Sequence, residues 1–376
     1  MLYGIAAANL PPVYALDELE SVSRRAEAIG VESIWTVEHM VLRDPQAPPS
    51  PLPPDTPLFD PLIALSFIAA HTSRVQLGTG VLILPLRNPL ILAKQVASLD
   101  ALSEGRVILG VGVGYVREEF DAIGVPFETR GARCDEYLSA MRAVWYDAKP
   151  AFTGSFVRFS DVQSLPRPVQ PYPFRVVVGG RTIPAYTRAV KYAQGWYGYG
   201  LTLAEAQARI GALREVARRV PRPDELGALT ITVTPAEFPD EALVSQLAEL
   251  GVDRVNVLLP SVLDARHVDT FFSKLERLIR ALGRERPLVG DPAPLPRASP
   301  SVSPSLSACL GSALTPRVGW VGEVRGGGFT GVAESLLDPP FGHGVLAVEA
   351  FRVNLEQDGD AMTGPLGGLR RRYTTV

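Results

Sequence analysis

An acidic residue and a histidine, Glu38 and His39, stand side by side directly after a predicted strand over residues 33–37. The charge of a histidine changes near neutral pH, which suits its imidazole to general acid–base catalysis. The end of a strand is also where loops gather around the mouth of many α/β folds. From these residues alone, a catalytic histidine and a hydrogen-bonded loop histidine are both open interpretations.

Two glycine-rich segments follow other predicted strands: GVGVGY at residues 110–115 and GGRT at residues 179–182. The second segment runs directly into a predicted helix, and the free amides and positive dipole end of a helix N-terminus bind phosphate. Arg181 and Thr182 add a charge and a hydroxyl. Taken alone, the segment fits a tight turn as well as a phosphate site.

Several other catalytic chemistries lack the residues that they need. The four histidines, His39, His71, His267 and His343, are not placed at metal-ligand spacing, and the sequence contains no HExxH motif. It also contains no GxSxG elbow, and GVGVGY lacks the GxGxxG spacing of a dinucleotide site. We therefore predict no bound metal and no covalent nucleophile.

The charge balance and the cysteine content exclude several classes of partner. The net charge is only -3, which gives no general electrostatic case for nucleic acid or an anionic membrane. The two cysteines, Cys134 and Cys309, form no disulfide framework and favour a reducing compartment. The N-terminus lacks the basic start of a signal peptide, and no apolar run reaches the length of a membrane span. We expect a cytoplasmic protein that acts on a small molecule.

Strand and helix patterns alternate eight times up to residue 282. Most strand candidates are near-continuous apolar runs, as in a parallel sheet covered on both faces. Eight such units predict an α/β fold of the (β/α)8 TIM-barrel type rather than an open sheet. The predicted strands are 2–8, 33–37, 74–80, 106–112, 174–179, 195–199, 227–233 and 253–259, and the predicted helices are 16–29, 60–70, 89–103, 131–147, 183–193, 202–219, 239–250 and 264–282.

Three insertions and a tail exceed a minimal barrel. We predict a proline-rich loop after strand two (41–58), an extended loop after strand four (113–130), and a β-hairpin with a proline-braced entry before strand five (148–172). The barrel domain is expected to span residues 1–283. Residues 284–376 open with a Pro/Ser/Ala tract and are predicted to form a disordered extension, with a linker and small binding appendage as the alternative.

A known family shares three stretches of this sequence. They are GVESIWTVEH (30–39), the block from LGTGVLILPLRNP through ETRGAR (77–133), and PRPVQPYPFRVVVGG (166–180). The chain resembles the bacterial luciferase-like flavin and deazaflavin enzymes, and is most similar to the actinobacterial branch that uses coenzyme F420. The resemblance covers residues 1 to about 282. It implies a luciferase-like (β/α)8 barrel, usually dimeric, that holds a flavin-shaped cofactor at its mouth.

The resemblance also implies roles for residues at the strand ends. Glu38 and His39 match the family's acid–histidine pair beside the cofactor ring, where His39 would assist proton movement. Gly80–Val81 matches a non-proline cis peptide that forms a bulge behind the ring, which explains why apolar residues continue past the strand. The cofactor-binding positions implied are Thr79, Gly80, Val81, Gly112, Gly114, the phosphate turn Gly179, Gly180, Arg181 and Thr182, and a pocket wall at Trp196. The family's usual GDGW reads AQGW here, with Gln194 in place of the aspartate.

The function that the resemblance implies is hydride transfer between coenzyme F420 and a small organic substrate. The near alternative is an FMN-dependent monooxygenase that uses reduced flavin and oxygen, since both cofactors share the ring shape and the phosphate. A longer basic path for an oligoglutamate tail, begun by Arg181 and Lys191, would favour the deazaflavin. A second alternative is a non-catalytic flavin-binding relative. A homodimer is expected.

Overall fold

The computed structural model describes residues 1–10, 16–259 and 265–282, and the backbone of residues 324–325 and 328–329. Two units are distinguished along the chain, Met1–Pro292 and Ala293–Val376. The first unit contains the predicted barrel.

Eleven strands lie in the described part of the first unit. They are β1 (Leu2–Ala6), β2 (Ser33–Thr36), β3 (Gln76–Thr79), β4 (Leu82–Ile83), β5 (Val107–Gly112), β6 (Phe152–Thr153), β7 (Arg158–Phe159), β8 (Val176–Gly179), β9 (Gly195–Leu201), β10 (Thr230–Pro235) and β11 (Arg254–Leu258). Eight of them, β1, β2, β3, β5, β8, β9, β10 and β11, pair in parallel around a ring. The β3–β5 pairing, with Leu77 opposite Val107, makes the sheet continuous into a closed barrel.

Helices follow these strands and cover the barrel, as the prediction of a (β/α)8 fold requires. They are α1 (Leu16–Ala28), α2 (Pro61–His71), α3 (Pro89–Leu102), α4 (Arg117–Ile123), α5 (Arg130–Tyr146), α6 (Ile183–Tyr192), α7 (Leu203–Arg219), α8 (Glu241–Glu249) and α9 (Ala265–Leu282). The eight predicted helices correspond to all of these except α4. Among the strands, the predicted and observed bounds differ most for the seventh, which was predicted at 227–233 and is found at Thr230–Pro235.

Helix starts follow from local sequence. Asp60 and Asn88 cap α2 and α3, each accepting hydrogen bonds from the second and third helical amides. A proline follows each cap, at the first helical position, where its missing N–H removes no intrahelical bond. The pairs Asp60-Pro61 and Asn88-Pro89 therefore set where these helices begin.

A small cluster of buried side chains fills the barrel interior, and Val81 at the barrel mouth packs against it. Trp35, Ile108, Val177 and Tyr197 form this cluster, and the rings of Trp35 and Tyr197 stack with centroids 5.3 Å apart. A Cβ on Gly78 would lie 2.3 Å from the Trp35 ring, so only glycine leaves room for the indole there. The larger outer core lies between the strands and the helices.

The three predicted insertions are present. Residues 41–58 form turns and bends between β2 and α2, and residues 113–130 contain α4. β6 and β7 pair antiparallel, which confirms the predicted hairpin. In the second unit, β12 (Val324–Arg325) and β13 (Gly328–Phe329) pair antiparallel. The prediction that residues 284–376 are disordered otherwise lies outside the described residues.

Candidate active site

The exit of β3 forms an apolar floor at the barrel mouth. The Gly80–Val81 peptide bond is cis, as the resemblance implied. The Val81 side chain packs on the interior cluster, and its methyl groups lie 2.8 Å and 3.0 Å from where a Cβ would stand on Gly112 and Gly179. A side chain at either glycine would collide with Val81. The floor therefore consists of the Val81 isopropyl group, with the backbone of Gly112 and Gly179 beside it.

Thr79 supports this floor from behind. Its side chain is fully buried, and its hydroxyl donates to the carbonyl of Gly110 and accepts from the Gly110 amide, both at 2.8 Å. The Thr79 carbonyl oxygen lies 1.8 Å from where a Cβ of Gly110 would stand, so residue 110 must be glycine. The Thr79 hydroxyl thus bridges β3 and β5, and a cofactor contact at Thr79 stays a prediction.

Glu38 is held by the segment that follows the cis peptide. Its buried carboxylate accepts from the Ile83 amide at 2.5 Å and from Arg87 Nε at 2.8 Å, and Arg87 also pairs with Asp60. Burial raises the pKa of the Glu38 carboxyl, and the Arg87 guanidinium opposes that rise. Glu38 thus holds the segment that follows the cis peptide, and a catalytic role for Glu38 beside His39 stays a prediction.

The carboxylate that faces His39 belongs to Glu119 on α4. Oε2 of Glu119 lies 3.1 Å from His39 Nδ1, and Oε1 accepts from the Met40 amide at 2.9 Å. The side chain of Glu119 is 1% exposed and that of His39 is 11% exposed. Because a carboxylate only accepts, Nδ1 carries the shared hydrogen and Nε2 is the nitrogen available for proton exchange. His39 and Glu119 form the dyad of this site.

One tyrosine ring packs against the His39 imidazole. The Tyr115 ring stands edge-on to the His39 imidazole, with centroids 5.9 Å apart, and is half exposed. Burial raises the pKa of Tyr115, with a further contribution from Glu119, and burial likewise raises the pKa of Tyr199 at the end of β9. Both phenols therefore stay protonated at neutral pH and can donate hydrogen bonds.

The turn from β8 into α6 has the features of an anion site. Gly180 has φ 129°, a conformation that side chains other than glycine rarely adopt, and Thr182 caps α6 without a side-chain hydrogen bond to it. The amides in the first turn of a helix have no acceptor inside it. Gly180, Arg181 and Thr182 are all exposed, so this end of α6 is open to a ligand.

Two arginines meet at this turn. Arg181 donates to the Tyr199 carbonyl at 2.6 Å, and Arg209 on α7 donates to the Arg181 carbonyl at 3.3 Å. No motif in the sequence pointed to Arg209, which lies 28 residues from its partner. Lys191 does not belong here, because it lies in the last turn of α6, at the opposite end of a helix about 15 Å long.

The two remaining predicted positions lie at different depths. Trp196 is fully buried against Tyr186, and its indole donates to the Gly180 carbonyl at 2.9 Å. It therefore supports the turn at Gly180, and its role as a wall of the cofactor pocket stays a prediction. Gly114 has φ 75°, and a Cβ there would meet Ile83 at 2.7 Å.

Gln194, which stands where the family usually has an aspartate, accepts a hydrogen bond from the Val176 amide at 2.8 Å. This backbone contact needs no charge on the side chain.

Within the described residues, no group of three or more histidine, cysteine, aspartate or glutamate side chains could hold a metal ion. No helix in that part of the chain is long and apolar enough to cross a membrane.

The candidate functional groups gather at the carboxyl ends of the barrel strands. This is the arrangement of a TIM-barrel enzyme.

A sequence model of the family described as Luciferase-like monooxygenase matches residues 1–267. The chain therefore belongs to the luciferase-like monooxygenase family, and is an enzyme of its oxidoreductase and monooxygenase class. An uncharacterized protein of Mycobacterium tuberculosis (strain ATCC 25618 / H37Rv) is 30% identical over 270 residues, which cover 70% of this chain and 93% of that protein. The F420-dependent glucose-6-phosphate dehydrogenase of Kineococcus radiotolerans is 36% identical over 180 residues, or 46% of this chain and 50% of that enzyme.

Solved structures share the fold. An F420-dependent secondary alcohol dehydrogenase, in complex with an F420–acetone adduct, superposes with a TM-score of 0.61 at 16% identity, over 76% of this chain and 99% of that one. A monooxygenase from Streptomyces bottropensis gives a TM-score of 0.60 at 20% identity, over 75% and 99%. The expected TIM-barrel fold is confirmed.

Proposed function

We propose that this protein transfers a hydride between coenzyme F420 and a small organic substrate. The His39–Glu119 dyad at the barrel mouth carries the proposal, because a buried carboxylate that fixes one imidazole nitrogen prepares the other for proton transfer. Hydride transfer to or from a carbonyl-type substrate needs such a group, since a proton must be gained or lost at the substrate oxygen.

The residues present fit a deazaflavin or flavin. Gly112 and Gly179 leave the Val81 surface bare, which suits the face of a flat ring. The open N-terminus of α6, with Arg181 beside it, suits the phosphate. Val81, Gly112 and Gly114 would hold the ring and its polyol chain, and Gly179 to Thr182 would hold the phosphate.

The bound cofactor supplies the hydride chemistry, and the protein supplies orientation and proton handling. His39 would give or take a proton at Nε2, while Glu119 stabilises the imidazolium that forms. Tyr115 would donate a hydrogen bond beside His39. Glu38, through Arg87 and the Ile83 amide, would keep the segment after Val81 in place.

The names of two curated relatives support the deazaflavin over FMN. Both are called F420-dependent glucose-6-phosphate dehydrogenase, and they are 36% and 32% identical over about half of their lengths. The dyad is an argument against a non-catalytic flavin carrier, because binding alone does not need a buried carboxylate that sets the tautomer of a histidine. The FMN-dependent monooxygenase is kept as the competing outcome of the test.

We also propose a cytoplasmic homodimer that acts on a small molecule and binds neither nucleic acid nor membrane. The near-neutral charge and the resemblance support this. Ile63 on α2 and Ile91 on α3 are 71% and 60% exposed. Contact of these apolar side chains with water is unfavourable, and burial against a second subunit would remove it. Sedimentation of the purified chain at micromolar concentration measures the mass, and a monomer would contradict the dimer.

The test of function is a fluorescence titration of the full chain with coenzyme F420 and, separately, with FMN. We expect the chain to bind F420 more tightly than FMN. We also expect that its complex with reduced F420 consumes no oxygen. A preference for FMN, together with oxygen uptake by the reduced complex, would refute hydride transfer and support a monooxygenase. Binding of neither cofactor would refute the enzyme mechanism proposed above.

A further inference from the structure

Tyr199 lies near the carboxyl end of β9, on the side of the strand that faces the barrel interior. Tyr197, two residues earlier, belongs to the interior cluster, and residues two apart on a strand face the same side of the sheet. The two rings meet edge to face, with centroids 6.3 Å apart. A Cβ on Gly80 would lie 2.7 Å from the Tyr197 ring, so Tyr197 packs against the cis peptide at the floor. Tyr199 therefore lies one layer beyond the floor, at the open end of the barrel.

The phenol of Tyr199 stands across the mouth from the dyad. Three strands separate β9 from β2 in either direction around the barrel, so Tyr199 and His39 lie on opposite sides. Tyr115 lies between them. Its ring stands edge-on to the His39 imidazole, with centroids 5.9 Å apart, and burial raises the pKa of Tyr199 with a further contribution from the Tyr115 phenol. The three side chains form a row across the mouth.

Each member of this row can make a hydrogen bond to a ligand. Nε2 of His39 is the nitrogen that the dyad leaves available. Within the described residues, neither the hydroxyl of Tyr115 nor that of Tyr199 is bonded to another side chain or to the backbone. The Tyr197 hydroxyl, one layer below, is instead bonded to the Thr234 hydroxyl at 2.7 Å. The two upper phenols thus present donors to a ligand in the mouth.

We propose that Tyr199 is a specificity-determining residue that donates a hydrogen bond to a second oxygen of the substrate. The substrates of this protein are then small alcohols or ketones that carry another oxygen beyond the reacting carbon. The inference rests on the proposed function, in which His39 and Tyr115 serve the oxygen at the reacting carbon. A substrate held there extends along the row, across the mouth, towards Tyr199. A hydroxyl, ether or carbonyl oxygen at that end accepts from the phenol, whereas a methyl group does not.

The test measures the binding of ketones to the full chain loaded with oxidised F420, through the fluorescence of the bound cofactor. Hydroxyacetone and butanone have nearly the same shape and differ by a hydroxyl in place of a methyl group. The same pair lengthened by one and by two methylene groups probes a longer reach across the mouth.

Tyr199→Phe should change the ratio of the two dissociation constants by about 3- to 10-fold against the hydroxy ketone, for at least one pair. This is the effect of losing one hydrogen bond between uncharged groups. The effect is modest because Tyr199 is 39% exposed, so water reaches its hydroxyl when the ligand lacks the second oxygen.

Two further phenylalanine variants serve as controls. Tyr172→Phe removes a hydroxyl from a side chain that is 51% exposed, on the segment that precedes β8, and should leave every ratio unchanged. Tyr115→Phe should weaken both members of each pair equally, because Tyr115 serves the oxygen that the two ketones share. The melting temperature of Tyr199→Phe should match that of the wild type, since the hydroxyl that it removes has no partner among the described residues.

An unchanged ratio in Tyr199→Phe for every pair would overturn the proposal and leave the proposed function intact. A change of the same size in Tyr172→Phe would also overturn it, because a distant hydroxyl would then have the same effect. Weaker binding of F420 itself by Tyr199→Phe would assign Tyr199 to the cofactor and refute its role in specificity. If the F420-loaded wild type binds none of the ketones, the substrate class is wrong, whereas failure of the wild type to bind F420 would refute the proposed function.

Discussion

The replacement Glu119→Gln isolates the contribution of the dyad. A glutamine has the same shape, and its amide oxygen can still accept from the Met40 amide, as Oε1 does now at 2.9 Å. Its NH2 group then faces His39 Nδ1, 3.1 Å away in the present arrangement. Because NH2 only donates, Nδ1 must give up its hydrogen, and the imidazole is driven to the tautomer protonated on Nε2.

The size of the effect follows from the bond that is lost. A hydrogen bond to a charged group is worth about 1.5–3 kcal/mol, so the ratio of the two His39 tautomers should change by about 10- to 150-fold. Turnover with any accepted substrate should fall by a similar factor or more, since the nitrogen that accepts the proton is now blocked. Affinity for the cofactor should be kept, because the buried Glu119 side chain contacts His39 and Met40.

The assay needs no knowledge of the substrate. Nitrogen-15 labelling of histidine gives long-range proton–nitrogen spectra that report which ring nitrogen carries the hydrogen, and the chain has only four histidines. The spectrum of His39→Ala assigns the signal. Glu118→Gln is the control, because Glu118 is the neighbouring carboxylate and pairs with Arg43 at the surface. An unchanged His39 tautomer in Glu119→Gln, or the same change in Glu118→Gln, would refute the dyad.

The remaining predictions concern the floor, its support and one buried phenol. Gly112→Ala should weaken both F420 and FMN in the same titrations, since its Cβ would lie 2.8 Å from Val81; normal affinity would exclude Val81 as the floor. Glu38→Gln should lower the unfolding free energy in urea by about 2 kcal/mol, because Arg87 loses one charged partner and keeps only Asp60, whereas normal stability with lost activity would support a catalytic role. Burial raises the pKa of Tyr3 from 10.0 to about 12, so the unfolded chain ionises first and stability is lost as pH rises from 10 towards 12. At pH 11 the wild type should lose about 1 kcal/mol that Tyr3→Phe keeps, and an equal loss in both would refute that origin.

The fold could be predicted because its determinants are local. Eight apolar runs, each followed by an amphipathic segment, define the βα units, and Asp-Pro and Asn-Pro pairs mark two helix starts within one residue of where they are found. The Gly80–Val81 position was also predictable, since the motif around it is continuous in sequence and specific to a family.

The direction of individual side chains could not be predicted in the same way. Successive residues of a strand face opposite sides of the sheet, but a strand apolar on both faces does not show which side is the interior. Trp196 and Tyr197 are adjacent aromatic residues, and the structure puts Tyr197 in the barrel and Trp196 under the helices.

The amino-acid sequence by itself determined the barrel, the family and the strand ends that hold the candidate site residues, because hydrophobic periodicity and motifs are local properties of the chain. Only the tertiary structure decided which charged groups meet. Glu119 reaches His39 across 80 residues, and Arg209 reaches the turn at Arg181 across 28. Closure of the barrel brings these residues together, and no local pattern encodes a distance that depends on how separate βα units pack around the ring.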